Sequence, residues 1–235
     1  MKQLKVMLSL LILSAASVCC MQVFAQTKTI HVTPDNAKIY VDGNEVGTGT
    51  YTVKFNRKTD FYVLKFEAPG YIKKTNIKLF RTNPNKTVSY TMYVDQFLLN
   101  SIGPGGGSAG EDAIDIANKW FEVTVSEKMT EDQVWKRLMS IANKNFENVE
   151  VRDRAAGWIR TAWAKTYFEN QVARTRLEIK INTDNDEEIS YKVKIYSEIN
   201  DDIDCASDDC FAKSDRVLKK YVDVINELQN KLNLK

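Results

Sequence analysis

Residues 172–181 read V-A-R-T-R-L-E-I-K-I, and this stretch decides the fold of the C-terminal part of the chain. Ala173, Thr175, Leu177, Ile179 and Ile181 fall on one side of an extended backbone, and Val172, Arg174, Arg176, Glu178 and Lys180 on the other. A period of two with one apolar set predicts an antiparallel strand. One of its faces is buried, and the other meets water, a partner or a ligand. Working outward, further strands are expected at 120–125, 149–151, 158–164 and 189–199. Thr130-Glu131-Asp132-Gln133 is a Thr-x-x-Gln capping box. The helix it opens carries Val134, Leu138, Ile141 and Ala142 on one face. A long final helix is expected to hold Val217, Tyr221, Ile225, Leu228 and Leu232 in register. Residues 112–235 therefore read as a two-layer α+β domain of order β-α-β-β-β-β-α, an antiparallel sheet with two helices on one face.

Upstream the pattern changes. Short alternating runs at 29–32, 38–41, 51–55, 61–66, 72–79 and 88–94 are separated by Asp42-Gly43, Pro69-Gly70 and Asn83-Pro84. This predicts an all-β small sandwich over residues 26–99. Half of the ten glycines crowd into Gly103–Gly110, so residues 100–111 read as a flexible linker between two domains. Gly105, Gly107 and Gly110 match the spacing of a dinucleotide loop, but an antiparallel meander follows where a parallel unit is required. Glu111 stands where a Walker loop needs Lys.

Pro34-Asp35-Asn36-Ala37, Ile39-Tyr40-Val41-Asp42-Gly43, Val46-Gly47 and Gly70-Tyr71 together resemble a PEGA domain. Asp35 and Asn36 replace the Glu and Gly of that family's turn, and Asn tolerates a left-handed backbone. The resemblance implies an extracytoplasmic β-sandwich that serves as an accessory module in envelope proteins, with no enzymatic residues. Val134-Trp135, Asn145-Phe146, Asp153, Gly157-Trp158 and Thr161 are similar to the helix-grip domains of β-barrel-assembly lipoproteins. That similarity implies a scaffold without a catalytic centre.

The chain of 235 residues carries 33 basic and 31 acidic side chains, one His and four Cys. This composition excludes disorder, collagen and multi-span membrane classes. Residues 1–25 have the basic start, apolar run and Val-Phe-Ala end of a signal peptide, with cleavage expected after Ala25. The alternative is lipidation at Cys19 or Cys20, giving an outer-membrane lipoprotein. Cleavage removes Lys2 and Lys5, so the +2 charge falls to zero. Cys205 and Cys210 then remain as one expected disulfide, pinning an Asp-rich loop against the helix that follows. No later segment is apolar enough to span a membrane.

The lone His31 lies in the first strand without a second His, which leaves no His-based zinc set. The cluster at 184–188 reads as a hairpin turn, and Asp201, Asp202, Asp204, Asp208 and Asp209 read as a helix entrance; calcium is the metal to test at either. No catalytic, cofactor or metal residues are expected. Trp158 and Trp163 are five apart, so an unbroken strand sends them to opposite faces, one into the core. The other joins Arg160, Lys165, Arg174 and Arg176 in a candidate binding face. The expected function is a non-catalytic exported module engaging cell-wall polysaccharide or another envelope protein, with no nucleic-acid partner. The alternatives are a lipid-anchored accessory of outer-membrane assembly and a small carboxylate-dependent hydrolase. An enzyme would gather several Asp or Glu in one cleft, whereas a binder would show an open Trp/Arg face.

Overall fold

The computed structural model describes residues 26–103, 117–183 and 189–232. The leader reading at 1–25, most of the Gly-rich segment and the acidic turn at 184–188 lie outside the described residues. The chain is rich in β-strands and forms two compact units.

The first unit comprises residues 26–69 and 73–92. Its strands are β1 (Thr27–Thr33), β2 (Lys38–Val41), β3 (Asn44–Thr48), β4 (Thr50–Lys54), β5 (Phe61–Glu67), β6 (Lys74–Phe80) and β7 (Thr87–Thr91). β4-β1-β7 form one sheet, with β1 and β7 parallel, and β3-β2-β5-β6 form an antiparallel second. The alternation expected from sequence places Ile30 and Val32 of β1, and Ile39, Leu64, Phe66 and Leu79 of the other sheet, in the interior. Phe66 and Tyr90 bring the two sheets together, their rings 5.0 Å apart.

β3 was not foreseen, because Asn-Glu-Val-Gly-Thr lacks an apolar alternation. What creates it is the Asp42-Gly43 turn, both residues at positive φ, which folds the chain back in a two-residue hairpin. The turn at Pro34–Ala37 is closed by the Ala37 N–H donating to the Pro34 carbonyl. Asn36 does not adopt the left-handed conformation expected of it; among the described residues the non-glycine ones that do are Asp42, Asn76 and Asn118. Lys28 shares the inward phase of Ile30 and Val32 and is 2 % exposed. Its ammonium donates to the carbonyls of Asn83 and Asn85, holding the turn before β7.

The second unit comprises residues 70–72 and 93–232. Its elements are α1 (Gln96–Leu99), β8 (Ser101–Ile102), β9 (Trp120–Thr124), α2 (Glu131–Asn145), β10 (Val149–Asp153), β11 (Trp158–Thr161), β12 (Ala164–Tyr167), β13 (Val172–Asn182), β14 (Ser190–Asn200), β15 (Ala212–Lys213), β16 (Val217–Leu218) and α3 (Val222–Leu232). β13 and β14 pair along their whole length. β11 and β12 share the far edge of β13, β9 and β15 share the far edge of β14, and β10 lies beyond β11, all antiparallel. One apolar core joins Leu177, Ile179, Val193 and Ile195 of the sheet to Val134, Leu138 and Ile141 of α2 and to Val224, Ile225 and Leu228 of α3.

The domain boundary needs correction. Residues 93–103 were assigned to the first domain and to the linker, but they pack in the second unit. Phe97 is 4 % exposed within its core, and its N–H donates to Gln171 Oε1 at 3.0 Å. Ser101–Ile102 pairs with Val217–Leu218. The chain thus passes between units around residues 69–73 and at 92–93, while the glycine-rich segment joins two parts of one unit. The final helix is corrected by the same pairing. Val217 belongs to β16, a 3-10 turn follows at Lys219–Tyr221, and α3 begins only at Val222. The capping box is present as expected, with the Thr130 hydroxyl and the Gln133 side chain each bonding the other's backbone N–H.

Candidate binding face

The side of the sheet away from the helices is built from five strands. β13 offers Arg174, Arg176, Glu178 and Lys180, directly opposite Glu198, Tyr196, Lys194 and Lys192 of β14. β9 places Trp120 opposite Lys194. β11 places Trp158 opposite Lys180 and Arg160 opposite Glu178. β12 places Lys165 opposite Arg174.

Trp163 reaches this face through a bulge. The register runs to Arg160↔Glu178 and resumes at Ala164↔Thr175, so residues 161–163 face only residues 176–177. The extra residue shifts the pleat by one step. The Leu177 N–H donates to the Thr161 hydroxyl at 2.9 Å, satisfying a group that the broken ladder leaves over. The expected single strand over 158–164 is therefore two strands, and neither Trp is in the core. Both are half-buried on the open face, together with Arg160, Lys165, Arg174 and Arg176.

Rings and cations alternate across the face. Arg176 lies 4.4 Å from the Trp163 ring and 4.7 Å from that of Tyr196. Arg174 lies 4.5 Å from Trp163 and 4.1 Å from Phe211. Lys180 is shared by Trp120 and Trp158, and Lys194 by Trp120 and Tyr196. Arg160 lies over Trp158, and Lys165 over Phe211. Each such contact is worth about 0.5–2 kcal/mol, depending on desolvation. They hold the long side chains down and keep the rings upright.

The charges on this face are unequally matched. Arg174, 7 % exposed, is paired with Glu198 at 2.7 Å and Asp208 at 2.5 Å. Glu178 accepts from Trp158 Nε1 at 3.1 Å and from the Tyr196 hydroxyl at 2.8 Å, and pairs with Lys180 at 2.8 Å. Burial pushes its carboxyl upward, but the bonds from Lys180, Tyr196 and Trp158 outweigh this and leave it below the usual range. The Tyr196 phenol is pushed up to about 12, first by burial and then by Glu178. Arg160 lies 3.3 Å from Glu150. Arg176 and Lys194 differ: among the described residues neither has an ion pair or hydrogen bond. Arg176 Nε is buried with no acceptor.

Sequence reading placed Glu178 and Lys180 on this face without singling them out, and missed Trp120, Lys194, Tyr196 and Phe211. The signal for two of them was present, since Lys192, Lys194, Tyr196 and Glu198 alternate along β14 as the charged set does along β13. Phe211 carried no such signal, being placed by the loop that precedes it. The sulfurs of Cys205 and Cys210 lie at bonding distance, with Cα atoms 6.3 Å apart. The loop they close was expected to pack on the following helix. It bears instead on β13, because Asp208 and Phe211 both engage Arg174.

Trp163 also lines a groove of about 230 Å³, with Asn145, Asn148, Lys165, Lys220 and Tyr221 among its walls. The aspartates of the 201–209 region point to separate partners. Asp201 accepts from Gln171, Asp202 from the Asp204 N–H, and Asp208 from Arg174. No metal-binding group of three such residues is found among the described residues. His31 Nδ1 bonds the Thr50 hydroxyl at 2.8 Å on an exposed strand surface. No helix among the described residues is long and apolar enough to cross a membrane. No protein-family model and no curated protein matches this chain.

Proposed function

We propose that the chain is a non-catalytic, exported binding module of a bacterial cell envelope that captures cell-wall glycan or another envelope protein. In this reading residues 26–92 form a PEGA-like β-sandwich. The second unit is a two-layer α+β scaffold, akin to a helix-grip domain, that presents the binding face. The observation carrying the reading is the alternation of Trp120, Trp158, Trp163 and Tyr196 with cations on one side of the sheet. Trp, Tyr and Arg are the side chains that dominate binding energy at interfaces. Glu178, Glu198 and Asp208 each serve a cation of the same surface, which supports holding over acid–base work. Export is supported by the leader-like start of the sequence and by the bonded cysteine pair.

In-cell cross-linking with identification of captured partners, run beside a peptidoglycan pull-down, tests this reading. Replacing Trp163 or Arg176 should cut capture about tenfold while leaving the protein folded. Unchanged capture by every folded variant would sink it. Mass measurement of the mature N-terminus distinguishes a free or cyclised Gln26 from acylation at Cys19 or Cys20.

A further inference from the structure

The second unit holds a cation with no carboxylate partner among the described residues. Arg176 is clamped between the Trp163 and Tyr196 rings, and its Nε is buried without an acceptor. The next arginine along the strand, Arg174, is instead satisfied by two carboxylates. A guanidinium fixed by two rings has already lost its rotamer freedom, so an arriving anion need not order it. Its planar fork matches a planar carboxylate in two parallel hydrogen bonds. Lys194, 4.4 Å from the same Tyr196 ring, adds a second positive charge without a carboxylate partner.

We propose that Trp163, Arg176, Tyr196 and Lys194 form a site for an acidic polysaccharide, a sugar chain bearing carboxylate groups. The inference rests on the binding role proposed above for this face. Arg176 takes the carboxylate. The groove of about 230 Å³ that Trp163 shares with Asn145, Glu147, Asn148 and Lys220 takes a neighbouring sugar ring, supplying an aromatic wall, amide and ammonium donors, and one carboxylate acceptor for sugar hydroxyls. A protein partner fits less well. Protein interfaces are depleted of Lys and Glu at their core, and here Lys180, Lys194 and Glu178 stand among the rings. A neutral glycan would leave Arg176 unmatched.

The test is retention of the purified protein on immobilised polygalacturonate, dextran and a phosphate-bearing mannan, at low and at physiological salt. The wild type should prefer polygalacturonate to dextran about tenfold. Arg176→Ala should abolish the preference. Arg176→Lys, which keeps charge but loses the fork, should restore only part of it. Urea midpoints establish that each variant is folded, and Lys194→Ala supplies an independent readout if Arg176→Ala unfolds. Equal retention on dextran, stronger retention on the phosphate mannan, or an Arg176→Lys variant equal to wild type would each overturn the assignment. The cross-linking experiment separates the two levels. If Arg176→Ala loses capture of an envelope protein but keeps polygalacturonate, the glycan inference fails and the binding face stands; if Arg176→Ala and every other folded variant keep both, both fail.

Discussion

Arg174 and Arg176 lie two positions apart on one strand and face the same way, yet the surroundings give them different work. Arg174 is buried among Glu198, Asp208 and two rings, so Arg174→Ala strands Glu198 and should cost about 3 kcal/mol in urea unfolding. Arg176→Ala leaves no carboxylate behind but gives up two ring contacts, and should cost about 1–2 kcal/mol, less than Arg174→Ala. Comparable losses for the two would contradict this division. Glu178 offers a pH test. Its carboxyl is more acidic in the folded chain than an ordinary Glu. The stability it contributes is therefore complete above the ordinary Glu range, and it is lost as pH falls through the folded value. Relative to wild type, Glu178→Gln should be less stable at neutral pH and should close the gap as pH falls below the ordinary Glu range. A gap that stays constant with pH would refute the role. In the same variant the Tyr196 phenol, held at about 12 by burial and by Glu178, should titrate earlier. Gly157 is a backbone constraint, at φ 57° with Ile181 where a Cβ would stand, 2.7 Å away. Gly157→Ala should lower the urea midpoint by more than the roughly 1 kcal/mol of strain alone.

At the scale of elements, the sequence was legible wherever periodicity and local chemistry agreed. The α2 helix shows this best. Thr130 and Gln133 cap it, and its four predicted inward residues are all buried. Thr130→Ala should cost about 1 kcal/mol, measured by chemical denaturation, with no change in the sheet. The alternation of β13 likewise marked Ala173, Thr175, Leu177 and Ile179 as buried, but Ile181, expected with them, is exposed. It did not foretell that Arg174 and Glu178 would themselves be buried, because the covering side chains come from strands distant in sequence. Legibility failed where partners decide. Val217 fits a helical period with Tyr221 and Ile225, but pairing with Ile102 draws it into a strand. Of the candidate face, the Trp and Arg positions were visible as residue types near one another. The step that unites them, a bulge at residues 161–163, has no glycine or proline to announce it.

For the whole molecule, glycine content revealed that a loop exists but not what it joins. The segment after Gly103 returns to the unit it leaves, since Phe97, Ser101 and Ile102 are already integrated there. A chain of residues 93–235 should therefore be more stable to urea than one of residues 112–235 by at least about 3 kcal/mol, the scale of losing one buried Phe. Equal stability would restore the glycine segment as the boundary. The cysteine pair works over a shorter range. Reduction should cost about 2 kcal/mol for so short a loop, and should increase solvent access to Arg174 by freeing Asp208 and Phe211. The bulge has a consequence of another kind, because in a pleated strand inside and outside are a matter of odd and even. Pairing residues 161–163 without the bulge would set Trp163 opposite Thr175, turn it toward the helices and leave Arg176 beside one ring. The composition would not change, but the surface would lose its clamp. Whether this sheet adheres or stays inert is thus set by the parity of one short run of residues.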